Sequence, residues 1–322
     1  MLEVTAASAN ELYAAVCREV LATGQRSAPR GMATTEVLGA HLQLTEPRRR
    51  FIDVRPARVL NPAFAVAEAL WILSGSDEPW IFTYNRSLER YADDGRLQGA
   101  YGPRMRRWNG EVDQLDHVRR LLTRDPDTRQ AVVQLYDPQR DTRGHRDVPC
   151  TLNYRFFLRG GRLDMHTTMR SNDVWLGLPY DLFTATMLHE LMAGWLGVPI
   201  GAYHHHVDSL HLYAQHDQAA TEVAARPVTP SPVMAALRAP ADALTEFLNA
   251  VVTKPVPPDA DAAWHEMAAI MDSYRHWSAG DRPKARQLAV SITSPLGVAL
   301  RHWYERLTHA GGLAEAAAGG TR

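Results

Sequence analysis

The segment from 151 to 170 constrains the fold more than any other. Residues 151–158 and 163–170 are both strand-like, and Arg159-Gly160-Gly161-Arg162 joins them. Alternation of apolar and polar side chains marks a strand with one buried face, and paired glycines supply the positive φ of a tight hairpin turn. A sheet of this kind needs apolar helices to cover it, and two are legible. Residues 62–75 read as a buried helix, with Asn61 as cap, Pro62 in the first turn and Gly75 past the end. Residues 182–196 read as a second, closed by Gly197 and Pro199. Residues 8–23 form an amphipathic pattern, with Leu12, Val16, Val20 and Leu21 on one stripe. Residues 35–44 and 130–136 are strand-like, 240–252 reads as a helix, and Asp208 to Gln218 reads as the start of another. Helices and mainly antiparallel strands mix without βαβ alternation, which predicts the α+β class.

Composition narrows the function. Lys plus Arg number 35 against 36 Asp plus Glu, for a net charge of −1 over 322 residues. A nucleic-acid binder would carry a basic excess, so arginines that matter here are expected to act on a small anion. Cys17 and Cys150 are the two cysteines, too few for a disulfide scaffold. The first residues carry Glu3, Glu11 and Glu19 and no long apolar run, which is not a signal-peptide pattern. No stretch of about eighteen apolar residues is present. These features place the chain in a reducing cytoplasm with Cys150 as a free thiol. The Ala/Gly-rich tail at 311–322 is expected to be disordered, leaving 1–310 as one catalytic domain.

Several side chains could carry chemistry. Cys150 follows Pro149 and a polar run and precedes a strand, a position where a thiolate can be partly exposed near basic groups. An isolated cysteine nevertheless reads better as a small buried hydrophobe. Arg170 with Ser171 is a natural phosphate grip, because guanidinium donates two parallel hydrogen bonds beside the hydroxyl. Arg129 and Arg30 are further candidates, although any single arginine reads first as solvated surface. Asp181 stands just before an apolar helix and looks like its N-cap. His204, His205, His206, Asp208 and His211 invite a metal reading, but their spacing matches no strong zinc pattern.

Together these pieces resemble the thymidylate synthase family. The run RSNDVWLGLPYD from Arg170 to Asp181 is similar to its nucleotide-binding signature, with a Pro-Cys pair upstream and His211-Leu212-Tyr213 downstream. AEALWILSG (Ala67 to Gly75), YADDG, and AYGPRMRRW (Ala100 to Trp108) continue the likeness. The resemblance implies one large domain, a twisted mixed sheet flanked by helices. It implies a homodimer packed sheet against sheet and 5,10-methylenetetrahydrofolate as co-substrate, with no metal required. Cys150 is implied as the nucleophile at C6 of a pyrimidine, which makes C5 a carbon nucleophile. Glu68 is implied to handle protons and ordered water, and Tyr101 to join the hydrogen bonds around the ring. Arg170, Ser171 and Arg30 (or Arg26 in its place) match the phosphate ligands, and Arg129 an arginine that reaches the partner's phosphate site. His211 and Tyr213 match the pair at the sugar hydroxyl. Asp173, Leu88 and Trp71 fall on the folate side.

Three departures refine this reading. The family's synthases place asparagine where this chain has Asp181. Asparagine suits uracil, whereas a carboxyl can serve the reversed edge of cytosine, and aspartate here resembles the cytidylate hydroxymethylase branch. Leu88 falls where synthases carry a tryptophan against the folate, which opens space for water. The tail lacks the closing sequence of the synthases, and looser closure also suits water attack. The expectation is a cytidylate 5-hydroxymethyltransferase, with dCMP favoured over CMP because Ser171 and Arg129 keep the deoxynucleotide pattern. The rivals are a thymidylate synthase acting on dUMP, a nucleotide-binding homologue without catalysis, and an unrelated thiol hydrolase.

Overall fold

A computed structural model describes residues 1–253 and 255–319. The elements run β1 (Leu2–Ala6), α1 (Ala9–Thr23), β2 (Gln25–Ser27), β3 (Thr34–Leu44) and α2 (Pro62–Leu73). There follow α3 (Tyr101–Arg106), α4 (Gln114–Arg124), β4 (Val132–Gln134), α5 (Pro138–Asp141), β5 (Thr151–Arg159), β6 (Arg162–Met169) and β7 (Asn172–Asp173). The chain continues through α6 (Leu178–Leu196), β8 (Ile200–Tyr213) and α7 (Asp217–Ala225), then α8 (Leu244–Thr253), α9 (Ala262–Ser278), α10 (Arg282–Ser291) and α11 (Pro295–Gly319).

The sheet is ordered β1-β3-β8-β6-β5-β4, with β2 beside β3 and β7 beside β8. It is mixed: β1 with β3 and β6 with β8 are parallel, while β3 with β8, β6 with β5 and β5 with β4 are antiparallel. The hairpin forms as its glycines require, with Gly160 and Gly161 at φ 55° and 70°. Asn61 caps α2 by accepting from the Ala63 and Phe64 amides, and left-handed Gly197 ends α6. One face of the sheet, with Tyr154, Phe156, Met165, Met169, Tyr203 and Val207, is buried. Helix α6 packs on β6 and β8, and α2 packs on α6, so two apolar helices and the sheet bury one continuous core.

The opposite face is half-buried and carries His166, His204 and His206, with His41 from β3. Their rings stack in parallel, with centroids 4.2 Å apart for His166–His204 and 4.6 Å for His41–His206. His204 and His206 therefore share a face as alternation predicts. Their ring nitrogens are paired with each other, His41 Nε2 with His204 Nδ1 and His166 Nδ1 with His206 Nε2, each at 3.1 Å.

Three expectations need correction. The helix expected from Asp208 is instead the end of β8, because pairing with β3 reaches Thr34↔Tyr213 and overrides local preference; α7 begins only at Asp217. The strand over 130–136 shrinks to Val132–Gln134. Helix α6 starts at Leu178, so Asp181 lies inside its first turn and is not its cap. The tail expected to be disordered from Gly311 falls in the last turns of α11 and, beyond Gly319, outside the described residues. No helix among the described residues is long and apolar enough to cross a membrane.

Candidate active site

Cys150 stands at the start of β5. Its carbonyl accepts from the Arg170 amide at 2.9 Å, which pins it where β5 and β6 end side by side. The Arg170 guanidinium donates to the carbonyls of Pro149 (2.9 Å) and Val148 (3.0 Å). The arginine expected to grip phosphate therefore also fixes the loop that presents the thiol. Below that loop, Arg104 and Asp141 form a buried bidentate pair at 2.7 and 2.6 Å, tying α3 to α5. Cys17 is fully buried in α1, and burial pushes its thiol up to about 12, which leaves it inert. Cys150 is half-buried. Burial raises its thiol too, opposed by Arg170 and Arg30, with Asp181 and Asp147 adding to the rise.

Glu68 from α2 and Asp181 from α6 are recessed: a little of each side chain touches solvent while protein surrounds the carboxyl. Burial pushes Glu68 up to about 8, and the charge of Asp181 adds to this. Burial pushes Asp181 up to about 7, opposed by a hydrogen bond from Asn172 and reinforced by Asp173. Glu68 is thus a neutral acid at pH 7 and Asp181 is poised between forms. Tyr101 opens α3, and its hydroxyl accepts from the Thr151 amide at 3.2 Å. Burial raises its pKa, and Cys150 and Asp181 are among the neighbours that raise it further. The thiol, both carboxyls and this phenol therefore form one group.

Asn172, which the sequence did not single out, and His205, weighed there only as a metal candidate, join Asp181 in one hydrogen-bonded chain. The Asn172 amide donates to Asp181 Oδ2 at 2.8 Å, and its Oδ1 lies 2.9 Å from His205 Nε2. An amide oxygen only accepts, so His205 carries its proton on Nε2. Its Nδ1 lies 2.9 Å from the Tyr203 hydroxyl, which is hydrogen-bonded to Thr167 at 2.8 Å. Burial lowers the His205 pKa to about 3, so the ring stays neutral. This buried chain holds Oδ2 of Asp181 as an acceptor and leaves Oδ1 as the place for a proton. The alternation of β8 held the signal, since His205 lies on the face opposite His204 and His206.

The residues expected at the phosphate and sugar sort by position. Arg30 sits in a turn at φ 54° and acts on Cys150 and Tyr213. Arg26 is engaged with Asp217 at 3.0 Å, which favours Arg30 as the loop ligand. Ser171 follows Arg170, half-buried. His211 and Tyr213 close β8 with rings edge to face at 5.2 Å, and Tyr213 feels Asp173, Arg30 and Cys150. Arg129 is different. Val132 pairs with Arg155 in antiparallel register, so Arg129 lies near Leu158. That is eight positions along the strand from Cys150, roughly 25 Å away, beyond reach of its own chain's site.

Among the residues expected on the folate side, Asp173 Oδ1 accepts from the Trp175 and Leu176 amides at 2.6 and 2.5 Å, turning the chain into α6. Its Oδ2 is buried without a hydrogen-bond partner, an acceptor that a ring N–H of the co-substrate could satisfy. Leu88 is half-buried on the short turn Arg86–Tyr91. Trp71 is turned into the core, its Nε1 donating to the Glu78 carbonyl at 2.9 Å; it offers a co-substrate no polar group.

A recessed thiol beside two proton-holding carboxyls, with arginines at the rim, is an arrangement suited to covalent addition to an anionic substrate. The family model for thymidylate synthase matches residues 11–250, and the chain belongs to that family. Over 217 residues it is 38% identical to the deoxyuridylate hydroxymethyltransferase of Bacillus phage SP01, covering 63% of this chain and 56% of that protein. Over 227 residues it is 31% identical to the deoxyuridylate hydroxymethyltransferase of Delftia phage PhiW-14, covering 66% of this chain and 62% of that one. The chain thus spans less than two thirds of the length of these relatives.

Proposed function

We propose that the chain hydroxymethylates C5 of dCMP, with 5,10-methylenetetrahydrofolate and water giving 5-hydroxymethyl-dCMP and tetrahydrofolate. The observation that carries this reading is the grouping of Cys150, Glu68 and Asp181, with a carboxyl poised near neutrality where the family's synthases place asparagine. The Cys150 sulfur adds to C6, and C5 gains the electron pair that forms the new carbon–carbon bond. Glu68 holds or accepts the proton that C5 must lose before sulfur leaves. A neutral Asp181 has one donor and one acceptor oxygen, matching cytosine N3 and its amino group. Bound folate supplies the carbon at the oxidation level of formaldehyde, so transfer with water needs no change of redox state. The orphan Oδ2 of Asp173 fits that co-substrate, and Leu88 leaves room for water. Ser171 and Arg129 support the deoxyribose form.

A uracil nucleotide is the second reading, favoured by the relatives that act on deoxyuridylate. A neutral carboxyl can also serve uracil by exchanging its donor and acceptor oxygens. The test is mass spectrometry of products from purified enzyme, methylenetetrahydrofolate and each of dCMP, CMP, dUMP and UMP. The expected product is heavier by one formaldehyde unit, from dCMP, without the ultraviolet rise that accompanies dihydrofolate. Stoichiometric dihydrofolate with a methylated uracil product overturns the hydroxymethyl reading. Hydroxymethylation of dUMP alone overturns the base assignment.

The position of Arg129 supports a dimer in which each copy completes the other's phosphate site. Arg129→Ala and Cys150→Ala are each expected to be inactive. Mixed and allowed to exchange subunits, they should recover roughly a quarter of wild-type activity, since half the dimers are mixed and each holds one intact site. A mixture as inactive as its parents leaves Arg129 without that role.

A further inference from the structure

A neutral Asp181 is by itself ambivalent, since exchanging its donor and acceptor oxygens turns a reader of cytosine into a reader of uracil. Selectivity needs a neighbour that forbids the exchange. The hydrogen-bonded chain from Thr167 through Tyr203 and His205 to Asn172 ends on Oδ2 of this carboxyl. All four of those side chains are buried, so bulk water does not compete for their hydrogen bonds.

An asparagine amide has a donating and an accepting side, and nothing in the residue itself decides which one meets Asp181. His205 decides it. Burial takes its pKa down to about 3, so the neutral ring has one proton for two nitrogens. Nδ1 faces the Tyr203 hydroxyl, which can donate, and Nε2 faces Asn172 Oδ1, which can only accept, each at 2.9 Å. With the proton on Nε2, the Asn172 oxygen is engaged and its amino group is turned to Asp181. Oδ2 then accepts whether the carboxyl is ionised or not, and a proton on the carboxyl sits on Oδ1. A reversed amide would set its oxygen against Oδ2, draw the proton there, and reverse the order shown to the base.

The backbone leaves room for this contact. Gly177, just before α6, has φ −94° and ψ −60°, a conformation open to any residue. A Cβ there would stand 2.8 Å from Asn172 Nδ2 and 3.3 Å from Asp181 Oδ2. The glycine is therefore required by the hydrogen bond beside it and not by the turn. Asn172 is itself fixed by β7, whose register with β8 is Asn172↔Leu210 and Asp173↔His211. The ionisable groups around Asp181 are Glu68, Tyr101, Cys150, Tyr154, Asp173 and Tyr203, each an acid. Against them, the hydrogen bond from Asn172 is what opposes the rise that burial imposes on Asp181.

We propose that Asn172 and His205 are positioning residues that set base selectivity: by holding Oδ2 of Asp181 as an acceptor, they fix the order in which the carboxyl presents donor and acceptor to the pyrimidine. This rests on the reading of Asp181 as the group that meets the base. It holds for either base, because the locked order selects one of them and rejects the other.

The test measures kcat/KM for dCMP and dUMP across pH, with a melting curve, in wild type, Asn172→Ala, His205→Leu, His205→Gln and Gly177→Ala. Leucine cannot donate to Asn172, whereas a glutamine amide nitrogen falls near the position of Nε2 and can. The preference between the two bases is expected to fall about tenfold in Asn172→Ala, His205→Leu and Gly177→Ala, and to stay within about twofold of wild type in His205→Gln. In Asn172→Ala the alkaline limb should also move up from about 7, because the ionised carboxyl loses its donor. Gly177 is only half-buried, so its variant keeps the test open where a change at a buried position fails to fold. Loss of packing alone lowers the rates on both bases together and leaves preference and limb in place; that result overturns the proposal, as does equal behaviour of the two His205 variants. A preference moved by Asp181→Asn but by none of these changes overturns the role of Asn172 and His205 and keeps the reading of Asp181. A preference that Asp181→Asn also leaves in place overturns both.

Discussion

Cys150→Ala is expected to lower turnover by on the order of 10⁴-fold or more while nucleotide affinity stays within a fewfold. The two effects separate because the nucleophile and the phosphate grip are different groups. Arg170 holds the loop through carbonyls of Pro149 and Val148, and neither contact uses the thiol. The sharper measurement omits folate. Adduct formation at C6 activates C5 for proton exchange, so wild type should exchange the C5 hydrogen of dCMP with solvent and Cys150→Ala should not. Exchange near the wild-type rate in the variant rules out Cys150 as nucleophile. Cys17→Ala serves as the control. Its thiol is buried and held protonated, so the change removes packing volume and leaves the chemistry intact; its cost appears in melting temperature, not in rate.

Asp181→Asn is expected to move the ratio of kcat/KM for dCMP over dUMP toward uracil by about tenfold to a hundredfold. A base edge left with mismatched donors and acceptors in a buried site costs roughly 1–3 kcal/mol. The pH profile gives a second reading of the same residue. Burial keeps Asp181 protonated up to about 7 and Glu68 up to about 8. The neutral form that reads cytosine is lost as pH rises through about 7, which predicts an alkaline limb in kcat/KM for dCMP. In Asp181→Asn that limb should disappear, leaving one set by Glu68, which falls below about 8 because the charge of Asp181 no longer adds to its rise. Stability follows the same sign. A carboxyl raised above its ordinary value penalises the folded state increasingly from pH 3.8 up to about 7. Asparagine carries no such penalty, so the variant should be more stable by roughly 2–4 kcal/mol at pH 8 and equal to wild type below pH 4. An unchanged base ratio with an unchanged alkaline limb removes Asp181 from base recognition and leaves uracil as the better assignment.

Local signals carried much of this. Asn61 with Pro62, the glycines of the 151–170 hairpin and Gly197 specify their own neighbourhoods, because caps and turns depend on residues a few positions apart. The apolar helices α2 and α6 are legible for the same reason, and so is the ordered set of motifs that brings Glu68, Tyr101, Cys150, Arg170 and Asp181 into one reading. What depends on partners far along the chain was not legible. Local pattern placed a cap at Asp181. The fold instead starts α6 at Leu178 and turns the carboxyl toward Asn172. Strand pairing with β3 extended β8 through His211 to Tyr213, where local preference read a helix. Tertiary ion pairing separated Arg26 from Arg30, and sheet register carried Arg129 to the far end of β5. The chain from Thr167 through Tyr203, His205 and Asn172 to Asp181 joins three strands and a helix. The sequence by itself determined which helices, turns and motif residues the molecule has, since their energetics are local. Only the tertiary structure decided which of them meet, because desolvation, pairing and proton placement are properties of neighbours in space.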